Sequence, residues 1–335
     1  MPDVNSVFTP TGSLQSNKDM YISRSKIEKE LMDLLNVEGR HILIHGESGY
    51  GKTWFYQYVL DELRKKYILI DSSVVMLDGF KGAFENVLSD KGEFRLSGLT
   101  NQVGSNIPIV EASRNKEYEY YESTSFEQLL KLMQKNRETV LVFDNLEILF
   151  DNNELVKQLL SIISSNLLNL YSIKLLLVGV QVHEKLLNRT QQQEIITRRL
   201  SPIQVTSQLD NSQVAHFVKK GFGKLGINLP DYVLNNLSRH VHYVTFGVPH
   251  ALHEYCRQVA NNYIQGKNDT DIIISDSNKT YKQWVENLLG SSKNFIKNII
   301  EANAPQQHRI LYTLGCIESD IFTNNERVIA SKLGE

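Results

Sequence analysis

The run Gly46-Glu47-Ser48-Gly49-Tyr50-Gly51-Lys52-Thr53 has the residue types and spacing of a loop that holds phosphate. Its glycines let the backbone fold around an oxyanion with N–H groups turned inward, and a helix starting at the end of the loop adds favourable partial charge. Lys52 then reaches the β and γ phosphates of a nucleoside triphosphate, and the Thr53 hydroxyl is placed to ligate a Mg²⁺ ion bridging them. A second group lies downstream, where the apolar run Val140 to Phe143 ends in Asp144. A carboxylate at a strand end beside such a loop holds metal-bound water, although an Asp there also caps turns. The next residue is Asn145, whose amide cannot take a proton from water. Glu147 is the remaining candidate base; the alternative is an ordinary carboxylate at a helix start. This departure predicts slow turnover, with the bound nucleotide acting as a latch more than as fuel.

These groups need elements to position them. His41 to His45, Tyr67 to Asp71, Thr139 to Asp144 and Lys174 to Val180 are short apolar runs without polar alternation, the pattern of strands covered on both faces. Helical spacing lies between or before them at Arg24 to Leu35, Thr53 to Lys65 and Asn153 to Leu170. Strand and helix thus alternate, which predicts an α/β fold with a parallel sheet. From Phe94 to Ser125 both periods fail and an acidic, aromatic stretch intervenes, which reads as a long insertion or loop, either a plain connection or a partner surface. After a last short strand at Ile203 to Val205 the pattern is helical, with starts at Asn211 and Asp231 and with Pro249 suited to a first turn. Further helices fit Lys279 to Asn303 and Gln306 to Leu314.

Composition limits the alternatives. The 335 residues are 41% hydrophobic and 22% charged, which suits a globular chain with more than one domain and excludes disordered and collagenous classes. A formal net charge of −2 gives no general coat for nucleic acid or membrane. Cys256 and Cys316 are too few for a disulfide framework and lack metal-ligand spacing, so a reducing cytoplasm fits. The stretch Leu155 to Val180 is interrupted by lysines, serines and asparagines, so no membrane-spanning helix is expected.

Taken together, YISRSKIEKELMDLL, GESGYGKT, VLVFDNLE, KLLLVGV, TRRLSPIQV and FGVPHALHEYC resemble an AAA+ type P-loop ATPase. The resembling branch joins origin-recognition proteins, TniB-like transposition ATPases and STAND signalling NTPases. The resemblance implies a sheet of order 5-1-4-3-2, an all-helical lid, and ATP with Mg²⁺ held by Thr53 and Asp144. It implies that Tyr21, Ile22 and Arg24 lie near the base, with a plain surface helix as the alternative. It also implies that Arg198 or Arg199 reaches a neighbouring subunit's nucleotide, the alternative being a basic pair at a helix C-terminus. Gly179 and Val180 stand where a polar sensor is usual, with Gln181 a poor substitute. In the lid, Pro249 opens a helix whose first residues face the phosphates, and His250 stands where an arginine is common, or is only a surface residue.

The expected organisation is an adenine-side segment at 1–37, an ATPase domain at 38–206, a helical lid at 207–290 and a C-terminal helical or partial winged-helix module at 291–335. The expected function is a nucleotide-dependent oligomerisation switch controlling an effector protein, as in antiphage defence. The rival is a DNA-associated ATPase of the transposition-regulator or replication-initiator kind.

Overall fold

The computed structural model describes residues 3–10, 14–90, 114–180, 182, 186, 198–206, 209–265 and 284. Side chains at 15, 16 and 114–124 lie outside this description, as do Gln181 and the expected helices and module beyond residue 265.

The N-terminal segment forms two short helices, α1 (Val4–Val7) and α2 (Leu14–Asn17), then a 3₁₀ turn at Lys18–Met20. There follow α3 (Ser25–Leu34), β1 (His41–His45), α4 (Lys52–Glu62), β2 (Lys66–Asp71), α5 (Ser72–Asp90), α6 (Arg114–Lys135) and β3 (Glu138–Asp144). A 3₁₀ turn at Leu146–Asp151 leads to α7 (Asn153–Ser164), α8 (Leu167–Leu170), β4 (Lys174–Gly179) and β5 (Leu200–Gln204). Three longer helices close the described chain: α9 (Asn211–Lys224), α10 (Asp231–Thr245) and α11 (Pro249–Gln265).

The strands make one parallel sheet of order β2-β3-β4-β1-β5, which is the expected 5-1-4-3-2 read from the other edge. Because side chains alternate across a strand, β1, β3 and β4 each feed two apolar layers. On one face Leu43, Phe143, Leu175 and Leu177 pack with residues of α5, α6 and α7; on the other Ile42, Val142, Leu176 and Val178 pack with residues of α3 and α4. Parallel strands run the same way, so the C-terminal ends of β1, β3 and β4 come together at one edge, where the loop from Gly46 and the carboxylate of Asp144 emerge. Brought to that edge as well, α4 starts at Lys52 behind a left-handed Gly51.

Four sequence expectations change. The run at 67–71 is an edge strand covered on alternate residues: Ile68 and Ile70 are buried, whereas Leu69 is 42% exposed. The helix expected over 153–170 is two, because Ser165 takes an extended conformation after α7. The last strand begins earlier, at Leu200. Part of the stretch read as an insertion is helical: α6 starts at Arg114, and its Phe126, Leu129, Leu130 and Met133 form a buried i, i+3, i+4, i+7 face.

The starts at Asn211 and Asp231 and the first-turn Pro249 are as expected. Asp210 caps α9 in a reciprocal box, its side chain accepting from the Gln213 N–H while Gln213 accepts from the Asp210 N–H. The chain divides into two compact units, Met1–Arg257 and Gln258–Glu335. Among the described residues no helix is long and apolar enough to cross a membrane.

Candidate functional site

The phosphate loop is shaped by glycine where nothing else fits. Gly49 and Gly51 have φ of +79° and +74°, and a Cβ on Gly46 would lie 2.4 Å from the carbonyl oxygen of Val205, the residue just after β5. At the loop's end Lys52 donates to the carbonyls of Gly46 (3.0 Å) and Glu47 (2.9 Å). Burial lowers the Lys52 pKa, against the pull of Glu147, Asp144 and Glu47.

Across from it, Asp144 is buried and collects three donors. The Thr53 hydroxyl reaches its Oδ2 at 2.9 Å, the Tyr56 hydroxyl reaches the same oxygen at 3.0 Å, and the Asn145 N–H meets Oδ1 at 2.9 Å. Burial raises the Asp144 pKa and these three bonds oppose the rise. The hydroxyl and carboxylate expected to share a metal ion are therefore in contact, which is the donor set a hard divalent cation takes. Asn145 adopts a left-handed φ of 59° and donates from Nδ2 to Asp71 at the end of β2, 2.9 Å away. Glu147 is turned back toward the loop by the 3₁₀ turn. Its Oε2 accepts the Val180 N–H at 2.9 Å, in the place where the sequence offers no polar sensor.

A cavity of about 440 Å³ joins these groups to a second, less polar end. Ser48, Lys52, Thr53, Asp144, Asn145 and Glu147 line one end; Met20, Tyr21, Ile22, Trp54, Phe217 and His253 are among those lining the other. Apolar and aromatic walls beside a polar phosphate cradle are what a nucleoside triphosphate requires.

The lid and the N-terminal segment meet over this cavity. The His250 N–H donates to the Gly49 carbonyl (3.2 Å), and the His250 ring donates from Nδ1 to the Pro10 carbonyl (3.1 Å). The Thr9 N–H in turn donates to Nδ1 of His253 (3.0 Å). His253 is enclosed by Phe8, Trp54 and Phe217, and burial pushes its pKa down to about 3. Thus Pro249 and His250 both reach the loop, while the ring of His250 is engaged at Nδ1 by Pro10 and has Nε2 3.5 Å from the Glu254 carboxylate.

Arg24 lines the same cavity as Tyr21 and Ile22. Its Nη2 donates to the Tyr50 carbonyl (2.8 Å) and lies against Gly51, so it also braces the phosphate loop. Its Nε and Nη1 are buried without a hydrogen-bond partner, and burial lowers its pKa. Tyr21 stacks on Tyr58 with ring centroids 4.2 Å apart and donates to Glu28. Of the two readings of the basic pair, the structure shows the helix-end one for Arg199. Its guanidinium donates to the carbonyls of Ile163 and Ser165 and to Asn166, at the C-terminus of α7. Arg198 is exposed at the entrance to β5.

Sequence reasoning missed Tyr56, Trp54, Gln57, Thr9, Pro10 and His253. For Tyr56 there was a usable sign, since it stands three residues after Thr53 and so shares its helix face.

Residues 36–187 match the family model of the AAA domain. This AAA match contains the phosphate loop, Asp144, Glu147 and four of the five strands. In fold the chain is a P-loop nucleoside triphosphatase, and solved structures agree. The Walker-type ATPase PABY2304 of Pyrococcus abyssi has a TM-score of 0.62 at 16% identity, covering 98% of this chain and 92% of that one. The ORC2 protein of Aeropyrum pernix, in ADPNP-ADP complexes, has a TM-score of 0.55 at 10% identity, covering 82% and 71%. Cdc6p of Pyrobaculum aerophilum has 0.50 at 13%, covering 98% and 83%. At these identities the likeness is one of fold. No curated protein matches in sequence.

Proposed function

We propose that the chain is an ATP-binding molecular switch that hydrolyses slowly and changes its assembly state with the nucleotide, controlling a partner effector. The observation that carries this reading is the direct fastening of the lid to the phosphate loop, through the His250 N–H on the Gly49 carbonyl. A shift in the loop is felt at once by the first turn of α11 and, through Pro10 and Thr9, by the N-terminal segment. Lys52 and the loop amides would bind the triphosphate, and Thr53 and Asp144 would hold a Mg²⁺ ion, which would supply charge neutralisation to the phosphates. Glu147 is the group available to orient water, and Asn145 in the adjoining position keeps turnover low. The nucleotide-bound forms of the ORC2 structure support the choice of ligand.

The test is the size of wild type and Lys52→Ala with ATP, with ADP and with neither. A wild-type assembly that grows or shrinks only with ATP, and a variant that does not respond, are expected; one unchanging size in all conditions contradicts the switch. The antiphage setting implied by the resemblance predicts that Lys52→Ala loses any protection seen in a plaque assay. A second reading, a DNA-associated ATPase, draws on the fold shared with ORC2 and Cdc6p. It predicts salt-dependent binding of duplex DNA by the full chain.

A further inference from the structure

His253 is buried, only 6% exposed, yet one side of it lines the nucleotide cavity. Its other sides are closed by aromatic rings, Phe217 with centroids 4.8 Å apart, Trp54 at 5.5 Å and Phe8 at 6.4 Å. Two successive residues of the N-terminal segment set the two histidines of α11 in opposite ways. The Thr9 N–H donates to Nδ1 of His253 at 3.0 Å, whereas the Pro10 carbonyl accepts from Nδ1 of His250 at 3.1 Å. A backbone N–H can only donate, so Nδ1 of His253 carries no proton. Burial, and then His250, lower the pKa of His253 to about 3. The ring is therefore neutral and its one proton is on Nε2.

Nε2 of His253 has no hydrogen-bond partner among the described residues and is not sealed inside the protein, so its N–H opens on the cavity that the ring lines. Met20, Ile22, Phe217 and Leu252 line that cavity with it, and Thr9 and Gln57 are polar members of the same lining. A neutral donor beside apolar walls costs free energy until an acceptor meets it. Lys52 and Thr53 line the other end, which is where phosphates belong. A ribose hydroxyl would accept from Nε2, but it brings a donor of its own that needs a further acceptor. A purine ring nitrogen accepts and brings no hydrogen.

We propose that His253 recognises the base of the nucleotide, its Nε2–H donating to a ring nitrogen of adenine while the Thr9 N–H holds the ring in the donating tautomer. This rests on the ATP binding proposed above and adds to it a residue that determines specificity. It also gives the N-terminal segment a part in recognition, since the Thr9 backbone is a positioning group that acts through the imidazole. A site built around one such donor discriminates against a base that lacks the matching acceptor, because the donor is then left unpaired.

The experiment measures equilibrium binding by the full chain, wild type and His253→Phe, of Mg²⁺-ATP, of Mg²⁺-tripolyphosphate and of 1-deaza-, 3-deaza- and 7-deaza-ATP. Each deaza analogue has a C–H in place of one ring nitrogen, and tripolyphosphate has no base. Wild type is expected to bind one of the analogues about tenfold more weakly than ATP. His253→Phe should bind ATP about tenfold more weakly than wild type does, should not distinguish that analogue from ATP, and should bind tripolyphosphate as wild type does. His253→Gln, which keeps an N–H donor, should fall between the two and serves if the phenylalanine disturbs folding. Equal affinity of wild type for ATP and all the analogues overturns the proposal. So does a His253→Phe that binds ATP like wild type, or that loses ATP and tripolyphosphate alike. If wild type binds neither ATP nor tripolyphosphate, the ATP-binding switch falls as well, whereas tripolyphosphate binding with indifference to the deaza changes removes only the role of His253.

Discussion

Tyr56 is the residue that most changes the picture of the metal side of the site. Its hydroxyl and that of Thr53 share one oxygen of Asp144, so when Thr53 turns to a metal ion Tyr56 still holds the carboxylate. Tyr56→Phe should therefore raise the Mg²⁺ concentration needed for nucleotide binding several-fold. It should leave nucleotide affinity in EDTA unchanged and cost about 1–3 kcal/mol of stability; an unaltered Mg²⁺ titration would reduce Tyr56 to a packing residue. Glu147→Gln keeps an acceptor for the Val180 N–H but removes the base, so hydrolysis should drop by about 10² or more while ATP affinity stays. Equal rates in single-turnover assays would exclude Glu147 from chemistry. Lys52, Thr53 and Asp144 were legible in the sequence because a loop around phosphate demands glycines at fixed places and a strand end demands an apolar run. Tyr56 was passed over although it shares the helix face of Thr53, since a tyrosine on the buried face of a helix reads as core.

The N-terminal segment acts as an element in its own right. Phe8 is fully buried against Phe217, Phe222 and His253, and a Cβ on Gly221 would lie 2.5 Å from its ring, so α9 carries a glycine where Phe8 crosses it. Phe8→Ala should cost about 3–5 kcal/mol in urea unfolding. It should also weaken ATP binding, because Thr9 and Pro10 lose their anchor on α11. A variant that unfolds at the wild-type urea concentration would show that the segment is not part of the core. The resemblance expects this segment on the adenine side but says nothing of its contacts, which join residues more than 200 positions apart. Strands β1, β3 and β4 were plain because both of their faces are covered; β2 was misjudged because an edge strand can leave an apolar residue such as Leu69 in water. The start of α6 was missed because its first residues, RNKEYEYYEST, show no apolar face of their own; the face begins only at Phe126.

At the scale of the molecule, two buried histidines tie stability to pH. His41 and His253 have folded pKa values of about 4 and about 3, below the ordinary value of 6.5. Between these limits the unfolded chain binds more protons, so their contribution is complete above pH 6.5 and is lost as pH falls toward 4, by up to about 1.4 kcal/mol per pH unit for each. Urea unfolding at a series of pH values should show this decline, and His253→Gln should flatten it; an identical slope in the variant would mean that His253 is not held neutral by the fold. The lid, the N-terminal segment and the sheet edge matter together only if the cavity between them takes a nucleotide. Titration calorimetry of Mg²⁺-ATP into nucleotide-stripped wild type and Lys52→Ala decides this most directly. Saturable heat with wild type and an affinity at least about tenfold weaker in the variant are predicted; no heat from wild type, or equal affinity in both, would contradict the account.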